Sequence, residues 1–315
     1  MIHIAILDDY QNVALKMADW SSLAGQATTT VFNDHLSEAD EVVARLDGFD
    51  VVCVMRERTP LSREILGRLP KLKLIASTGP RNASIDLAAA AEHNIEVMHT
   101  GYEPSPTIEL TWALILASAR NLIVETSSVR SGGWQRTVGD GIRGKTLGIL
   151  GLGNIGSEVA RLACAFGMDV IAWSENLQAQ KAEEHGARLV SKQELFRQAD
   201  ILTIHLVLSD RTRGLVGKDE FTLMKPTARL VNTSRGPIVD DTALIDAIRT
   251  RKIAGAAIDV FDIEPLPQNH PLRQLDNVIA TPHIGYVSRE LYRVFYQDVV
   301  ANIADWLHRN RRSQE

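Results

Sequence analysis

Three short segments of the sequence carry side chains that could hold a small anion and move a proton beside it. They read Leu-Val-Asn-Thr-Ser-Arg-Gly at 230–236, Ile-Asp-Val-Phe-Asp-Ile-Glu-Pro at 258–265 and Ile-Ala-Thr-Pro-His-Ile-Gly at 279–285. The planar, always charged guanidinium of Arg235 could bind a carboxylate through two parallel hydrogen bonds. The imidazole of His283 could transfer a proton near neutral pH, and the carboxylate of Glu264 behind it would fix its tautomer.

Such a set suits a 2-keto acid, whose carboxylate adjoins the ketone oxygen that gains negative charge as hydride reaches the carbon. Plainer interpretations exist: Arg235 could form a surface ion pair, Glu264 could belong to an acidic loop, and His283 could be a turn residue. Each segment, however, follows a separate predicted strand, and ligands of open parallel sheets bind beyond the carboxyl ends of strands. The three segments together favour one site for a small 2-keto or 2-hydroxy acid.

A glycine-rich loop predicts a nucleotide site. A predicted strand runs into Gly-Leu-Gly-Asn-Ile-Gly at 151–156, and a helical pattern follows. In this context Gly151 permits a tight turn, Gly153 lets backbone approach a pyrophosphate, and Gly156 lets helix and strand pack closely. The first helical residues, Asn154 and Ile155, would offer free N–H groups to the phosphates. A glycine turn without a ligand is the alternative, which the strand–loop–helix context disfavours.

The next predicted strand bears on the choice of cofactor. It ends at Ser174 and Glu175, about 20 positions after the glycines, where an acidic residue binds the ribose 2′-hydroxyl of NAD. No Arg or Lys occurs from Ser174 to Gln180 to neutralise a 2′-phosphate. We therefore predict NAD, with NADP not excluded, and a solvated loop carboxylate is the plainer interpretation of Glu175.

Two alternations of short apolar runs with helical patterns surround these motifs. Strands are predicted at 3–7, 29–32, 51–55, 72–77 and 95–99, and again at 145–150, 170–174, 201–206, 228–233, 256–260 and 278–281. Helices are predicted between them at 37–46, 62–69, 86–93, 155–166, 178–185, 192–197 and 242–249, with a terminal helix at 288–308. Near-continuous apolar strands joined by helices indicate parallel sheets covered on both faces.

We therefore predict an α/β protein of two Rossmann-like domains. A flavodoxin-like substrate domain would comprise residues 1–100 plus 287–315, and an NAD-binding domain residues 101–286, with the active site in the cleft between them. A Pro- and Gly-containing stretch at 100–106 is the expected hinge. A helix is predicted from Pro106 to Val129. Its middle, Leu110–Ala119, is apolar on nearly every side, which suggests a homodimer interface.

Composition excludes several classes of function. The chain has 315 residues, a net charge of -5 and 45% hydrophobic residues, and no long basic run marks a nucleic-acid binder. No apolar stretch is long enough to span a membrane, no secretory signal is recognised at the start, and no metal site is predicted. Cys53 and Cys164 are interpreted as two buried thiols, which fits a reducing compartment and a cytoplasmic protein.

The four motifs together resemble the D-isomer-specific 2-hydroxyacid dehydrogenases. Gly-Leu-Gly-Asn-Ile-Gly, Asn-Thr-Ser-Arg-Gly, Asp-Val-Phe-x-x-Glu-Pro and Pro-His-Ile-Gly match that family in order and spacing over nearly the whole chain. The resemblance implies that Arg235 binds the substrate carboxylate, that His283 is the acid/base, and that Glu264 orients it. It also implies that the Thr233 backbone and Asp259 contact the nicotinamide end and that His205 lies near the cofactor. The backbone amides of Thr78 and Gly79 would bind the substrate carboxylate.

Three single positions and one three-residue stretch depart from the usual family pattern, and two alternatives stay open. The departures are Val207 for proline, Tyr286 for glycine, Ser174 for aspartate, and the unusual continuation Pro80-Arg81-Asn82 of the substrate loop. They leave the identity of the hydroxy acid open. One alternative is a formate or phosphite dehydrogenase on the same scaffold, although formate dehydrogenases carry glutamine where this chain has Glu264. The other is a corepressor-like protein that senses NAD(H) without turnover.

Overall fold

A computed structural model of the chain describes residues 1–312, and the last three residues of the predicted substrate domain lie outside this range. The chain divides into two compact units. The first comprises Met1–Glu103 together with the segment from Val287 onward, and the second comprises Pro104–Tyr286.

The first unit is built around a five-stranded parallel sheet with the strand order β2-β1-β3-β4-β5. This is the flavodoxin-like order. Its strands are β1 (Ile2–Ile6), β2 (Ala27–Val31), β3 (Val51–Val54), β4 (Leu74–Ser77) and β5 (Glu96–His99). Its helices are α1 (Ala14–Met17), α2 (Ala39–Leu46), α3 (Arg63–Leu66), α4 (Leu87–Glu92) and the terminal α12 (Arg289–Arg312), with a 3-10 turn at Trp20–Leu23.

The second unit contains a seven-stranded parallel sheet with the order β12-β11-β10-β9-β6-β7-β8. The strands are β6 (Thr146–Leu150), β7 (Asp169–Trp173), β8 (Arg188–Leu189), β9 (Ile201–Ile204), β10 (Arg229–Asn232), β11 (Gly255–Ile258) and β12 (Val278–Ala280). The helices are α5 (Ser105–Ala119), α6 (Leu122–Arg130), α7 (Asn154–Ala165), α8 (Ala179–Glu184), α9 (Lys192–Gln198), α10 (Lys218–Leu223) and α11 (Asp241–Arg249). The predicted α/β class with two parallel sheets is confirmed.

The strands of the second unit are apolar throughout because the sheet is buried on both faces. Successive residues of a strand point to opposite faces, so Leu230 packs in one core and Val231 in the other. The same alternation separates Ala256 and Ile258 from Ala257 between them. These strands therefore show no alternation of polar and apolar residues. The polar residues that follow each strand mark its carboxyl end.

The prediction of one long helix from Pro106 to Val129 is wrong, because the segment forms two helices. Asn121 adopts a left-handed conformation with φ of 49°, which ends the first helix and lets a second begin. The two helices are bent by 68° relative to each other. The buried side chains of α5, among them Trp112, Leu114 and Ile115, pack in the core of their own unit. The burial of α5 therefore requires no second subunit.

Other expectations also need correction. The two-residue strand β8 and the helices α1 and α10 have no counterpart among the predicted elements. Cys53 is buried as expected, but Cys164 is exposed on α7. In the part of the chain that the structure describes, no single helix is both long and apolar enough to cross a membrane. Only α5 and α6 taken together, as a sharply bent pair, meet that criterion.

Candidate active site

The glycine loop joins β6 to α7 in the second unit. Gly151 has φ of 102°, and a Cβ atom there would lie 2.7 Å from the carbonyl oxygen of His205. A Cβ atom at Gly156 would lie 2.1 Å from the oxygen of Gly151, so both positions require glycine. Above Gly153, in contrast, nothing lies within 4 Å of the Cβ position. The loop is thus closely packed on the protein side and open on the other.

This open side fits a dinucleotide phosphate. Helix α7 begins at Asn154, and the N–H groups of its first turn, those of Asn154, Ile155 and Gly156, have no partner inside the helix. These donors and the positive end of the helix dipole face an anion that approaches past Gly153. The residues present therefore fit NAD, which would supply or accept the hydride when bound.

The tip of β7 lies beside the glycine loop, because the amide of Gly151 donates to the carbonyl of Trp173 at 2.9 Å. The two predicted ribose-binding residues follow directly: Ser174 is half-buried and Glu175 is exposed. The loop then turns back through a hydrogen bond from Leu177 N to Ser174 O at 3.1 Å. Ser174 and Glu175 are therefore next to the phosphate loop, where the adenosine ribose of a dinucleotide would reach.

Arg235 is presented by a turn at the carboxyl end of β10. The side chain of Asn232, which is buried, organises this turn: its amide donates to the Arg235 carbonyl and accepts from Ser234 N, both at 3.0 Å. The next residue, Gly236, packs so closely that a Cβ atom there would lie 2.1 Å from the Phe261 carbonyl carbon. Glycine at 236 therefore lets the Arg235 turn approach the loop that carries Glu264.

Glu264 and His283 form a directly bonded pair of titratable groups in the second unit. The Nδ1 atom of His283 lies 2.6 Å from Oε2 of Glu264, and the other carboxylate oxygen accepts from Phe261 N at 2.8 Å. Burial by itself raises the pKa of Glu264, but the bonds from His283 and Phe261, with the charges of His283 and Arg235, hold the pKa below its ordinary value. An ionised Glu264 accepts a hydrogen bond from the protonated Nδ1 atom. Nε2 is therefore the ring nitrogen that remains available for proton transfer.

Asp259 follows β11 and is fully buried. One carboxylate oxygen accepts from the Thr281 hydroxyl at 2.5 Å and from Ile284 N at 2.9 Å, and the other accepts from Gly285 N at 2.8 Å. Burial raises the pKa of Asp259 in spite of these bonds. The donors flank His283 on both sides, and His283 itself has a left-handed φ of 51°. Asp259 therefore fastens the turn that holds the imidazole in an unusual backbone conformation.

His205 follows β9 and lies beside the glycine loop. Its Nε2 atom is 2.9 Å from the Thr203 hydroxyl. Burial lowers the pKa of His205 to about 3, so the ring is neutral at working pH and unsuited to cycle as an acid. Thr233, directly after β10, shares a 2.8 Å hydrogen bond with the Thr111 hydroxyl of α5, which ties the start of the Arg235 turn to that helix.

The two predicted substrate-loop residues belong to the first unit. Thr78 and Gly79 follow β4, and both are buried. The Thr78 amide donates to the Val54 carbonyl at 3.1 Å, and the Gly79 amide donates to the Thr100 hydroxyl at 2.7 Å. Both predicted amide donors are therefore already satisfied within the unit.

The structure thus brings the predicted residues of the second unit to one edge of one sheet. Sequence reasoning missed two residues that support them, Asn232 and Thr281. Tyr286, which the sequence marks as a departure from the family pattern, meets the ring of His283 edge-on with centroids 5.4 Å apart. Asn232 and Thr281 lie inside the quoted motifs, so a polar residue at a buried strand end was the available signal. No group of three or more metal-binding side chains occurs in residues 1–312.

This architecture defines a dinucleotide-binding oxidoreductase site, and comparison with known proteins specifies it. Residues 112–285 match the family model described as "D-isomer specific 2-hydroxyacid dehydrogenase, NAD binding domain". The match covers more than half of the chain, and the chain belongs to this family. The predicted family, the enzyme class acting on CH–OH donors and the cofactor NAD are confirmed.

Named relatives span several activities. A glyoxylate reductase of Aeropyrum pernix is 45% identical over 72% of this chain and 71% of its own length. A hydroxypyruvate reductase of Thermotoga maritima is 36% identical over 84% of this chain and 86% of its own. A D-3-phosphoglycerate dehydrogenase of Methanocaldococcus jannaschii is 37% identical over 92% of this chain, which spans only 54% of that relative. Among solved structures, a phosphoglycerate oxidoreductase of Vibrio cholerae is 38% identical, with a TM-score of 0.93 over 98% of this chain and 99% of that one.

Proposed function

We propose that the chain reduces a small 2-keto acid to the D-2-hydroxy acid, or catalyses the reverse, with Arg235, Glu264 and His283 as its working residues. Arg235 would bind the substrate carboxylate and align the neighbouring ketone. His283 would give a proton to the ketone oxygen from Nε2 as hydride reaches the carbon, and Glu264 would stabilise the imidazolium before that step. In the reverse direction, the neutral ring would take the hydroxyl proton.

The 2.6 Å contact between Glu264 and His283 carries this proposal. A carboxylate kept ionised beside Nδ1 sets the tautomer and raises the fraction of imidazolium, which the reduction consumes. The charge of Arg235 helps to lower the pKa of Glu264, which supports its place in the same site. A guanidinium is suited to a carboxylate substrate and cannot itself lose a proton at working pH.

The test is replacement of Arg235 and of His283, each by alanine. We expect Arg235→Ala to abolish turnover of glyoxylate, hydroxypyruvate and pyruvate, followed through NADH absorbance. We expect His283→Ala to slow the chemical step by about 1,000-fold, within the usual range for a lost general acid. NADH affinity, measured by fluorescence titration, should persist in both variants.

Matched controls are Arg251→Ala, which removes an exposed guanidinium paired with Asp276, and His185→Ala after α8. Wild-type turnover in Arg235→Ala or His283→Ala would contradict the roles assigned. NADH binding by the natural chain with no turnover of any keto acid would instead favour an NAD(H)-sensing protein. Turnover of formate or phosphite alone would favour the other alternative.

We propose in addition that the chain acts as a homodimer in the cytoplasm. Five large apolar side chains on α6 and the segment after it face outward: Leu122, Ile123, Val129, Trp134 and Val138, the last 96% exposed. The Glu125 carboxylate and the Ser128 hydroxyl hydrogen-bond this segment to α6, so the apolar face is ordered. Such a face on a compact domain indicates a protein partner.

We propose that the partner of this apolar face is a second copy of the chain. Light scattering should give twice the chain mass, and Val138→Asp should shift it toward one chain. A monomer mass for the natural chain would contradict the dimer. The cytoplasmic location is supported by two free thiols, one of them exposed.

A further inference from the structure

The loop between β11 and the 3-10 turn Pro271–Arg273 carries Glu264, yet its backbone makes few bonds of its own. Within residues 1–312, no backbone–backbone hydrogen bond involves residues 261–266. The amide of Phe261 donates instead to the Glu264 side chain at 2.8 Å. Ile263, directly before Glu264, is 66% exposed. The position of Glu264 therefore depends on contacts from outside this stretch.

Packing and charge do not hold the middle of the loop. A cavity of about 260 Å³ adjoins it, and the lining includes Asp262 of the loop together with Asp241 and Leu244 of α11. Burial raises the pKa of Asp262, and the negative charges of Asp241 and Asp240 raise it further. Repulsion between these carboxylates acts against the observed position of the loop, so another contact must oppose it.

The side chain of Arg273 supplies that contact. Its Nε atom donates to the Pro267 carbonyl at 2.9 Å, and its Nη2 atom donates to the Leu266 carbonyl at 2.5 Å. These two carbonyls follow Glu264 closely along the chain. Because the guanidinium is planar and rigid, its two donors hold both carbonyls in one arrangement. Arg273 thus fixes the backbone directly after the residue that bonds His283.

The turn that carries Arg273 is itself anchored. Leu272 is 2% exposed and packs in the apolar core of the second unit. The Nδ1 atom of His270 accepts from Leu272 N at 3.4 Å, and its Nε2 atom lies 3.2 Å from Oδ2 of Asp241 at the start of α11. Arg273 therefore reaches back to the loop from a fixed base.

The side chain of Arg273 is exposed, and no salt bridge involves it in the part of the chain that the structure describes. Its bonded donors both serve the backbone of one loop. Replacement of an exposed side chain leaves the packed core in place. A variant at this position therefore tests where the loop lies rather than whether the unit folds.

We propose that Arg273 is a positioning residue of the active site. By holding the carbonyls of Leu266 and Pro267, it keeps the Glu264 carboxylate on Nδ1 of His283 and so favours the imidazolium. It acts through Glu264 and not on the substrate. The expected effect on turnover rests on the proposed function.

The first measurement follows the pH at which the His283 ring takes up its proton, by NMR of the ring signal that is lost in His283→Ala. We expect this midpoint to move to lower pH by about 1 pH unit in Glu264→Gln, as for a lost neighbouring charge, and about half as far in Arg273→Ala. Arg273→Lys, which can restore one of the two bonds, should lie between Arg273→Ala and the natural protein. Arg251→Ala, which removes an exposed guanidinium paired with Asp276, is the control and should leave the midpoint unchanged.

The second measurement is kcat for glyoxylate reduction. Arg273→Ala should lower kcat about tenfold, because a small displacement of a working group costs rate steeply, while the KM for NADH should change little. In a Glu264→Gln background the same replacement should change kcat by no more than about twofold, because the charge that Arg273 positions is already gone.

An unmoved His283 midpoint in Arg273→Ala, beside a moved one in Glu264→Gln, overturns the inference. An equal fall of kcat in both backgrounds overturns it as well, since a merely structural role would act independently of Glu264. If the midpoint moves as expected but the natural protein turns over no keto acid, the positioning role stands and the proposed reaction falls. If Glu264→Gln itself leaves the midpoint unmoved, Glu264 does not act on His283 and both proposals fall.

Discussion

Two acidic side chains in the second unit serve the same histidine turn in opposite ways. Glu264 meets the His283 ring at Nδ1, and its pKa is lowered although burial acts against this. Asp259 binds Thr281 Oγ1 and two backbone amides around the same histidine, and its pKa is raised because it is fully buried. For the fully buried Asp259, three hydrogen bonds and the nearby charge of His283 are thus insufficient to offset desolvation. For Glu264, a direct bond to the imidazole, a backbone bond and the charge of Arg235 are sufficient.

The comparison assigns different roles to the carboxylates of Glu264 and Asp259. A carboxylate that remains ionised beside the ring acts on the proton equilibrium of His283, while one that binds the backbone around it acts on where the ring lies. If this division holds, the first should affect mainly the chemical step and the second mainly the stability of the turn.

Replacement of Glu264 should give the largest effect. Glu264→Gln keeps the size of the side chain but removes the charge that stabilises the imidazolium. We expect kcat for keto-acid reduction to fall by about 100-fold and its pH profile to lose activity at lower pH than in the natural enzyme. Thermal stability at neutral pH should fall less than in the variant of the fully buried Asp259 described next. Glu184→Gln on α8 is the matched control, and a wild-type pH profile in Glu264→Gln would remove the distinction between the two carboxylates.

Replacement of Asp259 should affect stability more than chemistry. In Asp259→Asn, an amide nitrogen must replace one of two oxygens that now accept hydrogen bonds, so two donors face each other in a buried place. We expect the free energy of unfolding to fall by about 2 kcal/mol in urea titrations, with kcat reduced about tenfold. Asp276→Asn, at an exposed carboxylate, is the control. A loss of kcat as large as that of Glu264→Gln, at unchanged stability, would show that Asp259 acts on the reaction directly.

The opposite pKa shifts predict opposite dependence of stability on pH. The pKa of Glu264 is lowered in the folded state, so its contribution is present above its ordinary value of 4.5 and is lost as pH falls through the folded value. The pKa of Asp259 is raised, so its ionisation costs stability as pH rises from its ordinary value of 3.8 through the folded value.

Urea unfolding between pH 3.5 and about 7 can separate the two contributions. Relative to the natural protein, Glu264→Gln should lose less stability on acidification. Asp259→Asn should lose less stability as the pH is raised from the acid end of this range. The same pH dependence in both variants would contradict the opposite shifts.

A third carboxylate, that of Glu175, extends the comparison to an exposed group and should give the smallest effect. Glu175 is exposed, and its side chain makes no hydrogen bond or ion pair within residues 1–312. We propose that it binds the cofactor ribose. Glu175→Gln should raise the KM for NADH about threefold and reduce the preference for NADH over NADPH by about tenfold, through one lost charge-assisted hydrogen bond. The same Glu184→Gln variant serves as control, and an unchanged ratio of the two cofactors would assign their discrimination elsewhere.

Much of the second unit could be predicted from sequence because its signals are local. Gly151 and Gly156 adjoin a strand and a helix whose patterns are plain, and the Arg235, Glu264 and His283 motifs each follow an apolar run. The break at Asn121 was missed because apolar residues continue on both sides of it, so the pattern shows no end to the helix. The exposure of Cys164 on α7 was missed because a small apolar residue on an amphipathic helix fits either face.

The sequence alone determined which chemical groups this protein has and the order in which strands present them, since strand ends and glycine turns are set by neighbours along the chain. Only the tertiary structure decided what those groups contact. The amides of Thr78 and Gly79 donate to Val54 and Thr100 and are not free for a ligand. The Arg56 side chain donates to the carbonyl of Thr78, more than twenty positions away. Burial and partners distant in sequence set the opposite pKa shifts of Glu264 and Asp259, because desolvation and hydrogen bonding depend on the surroundings in space.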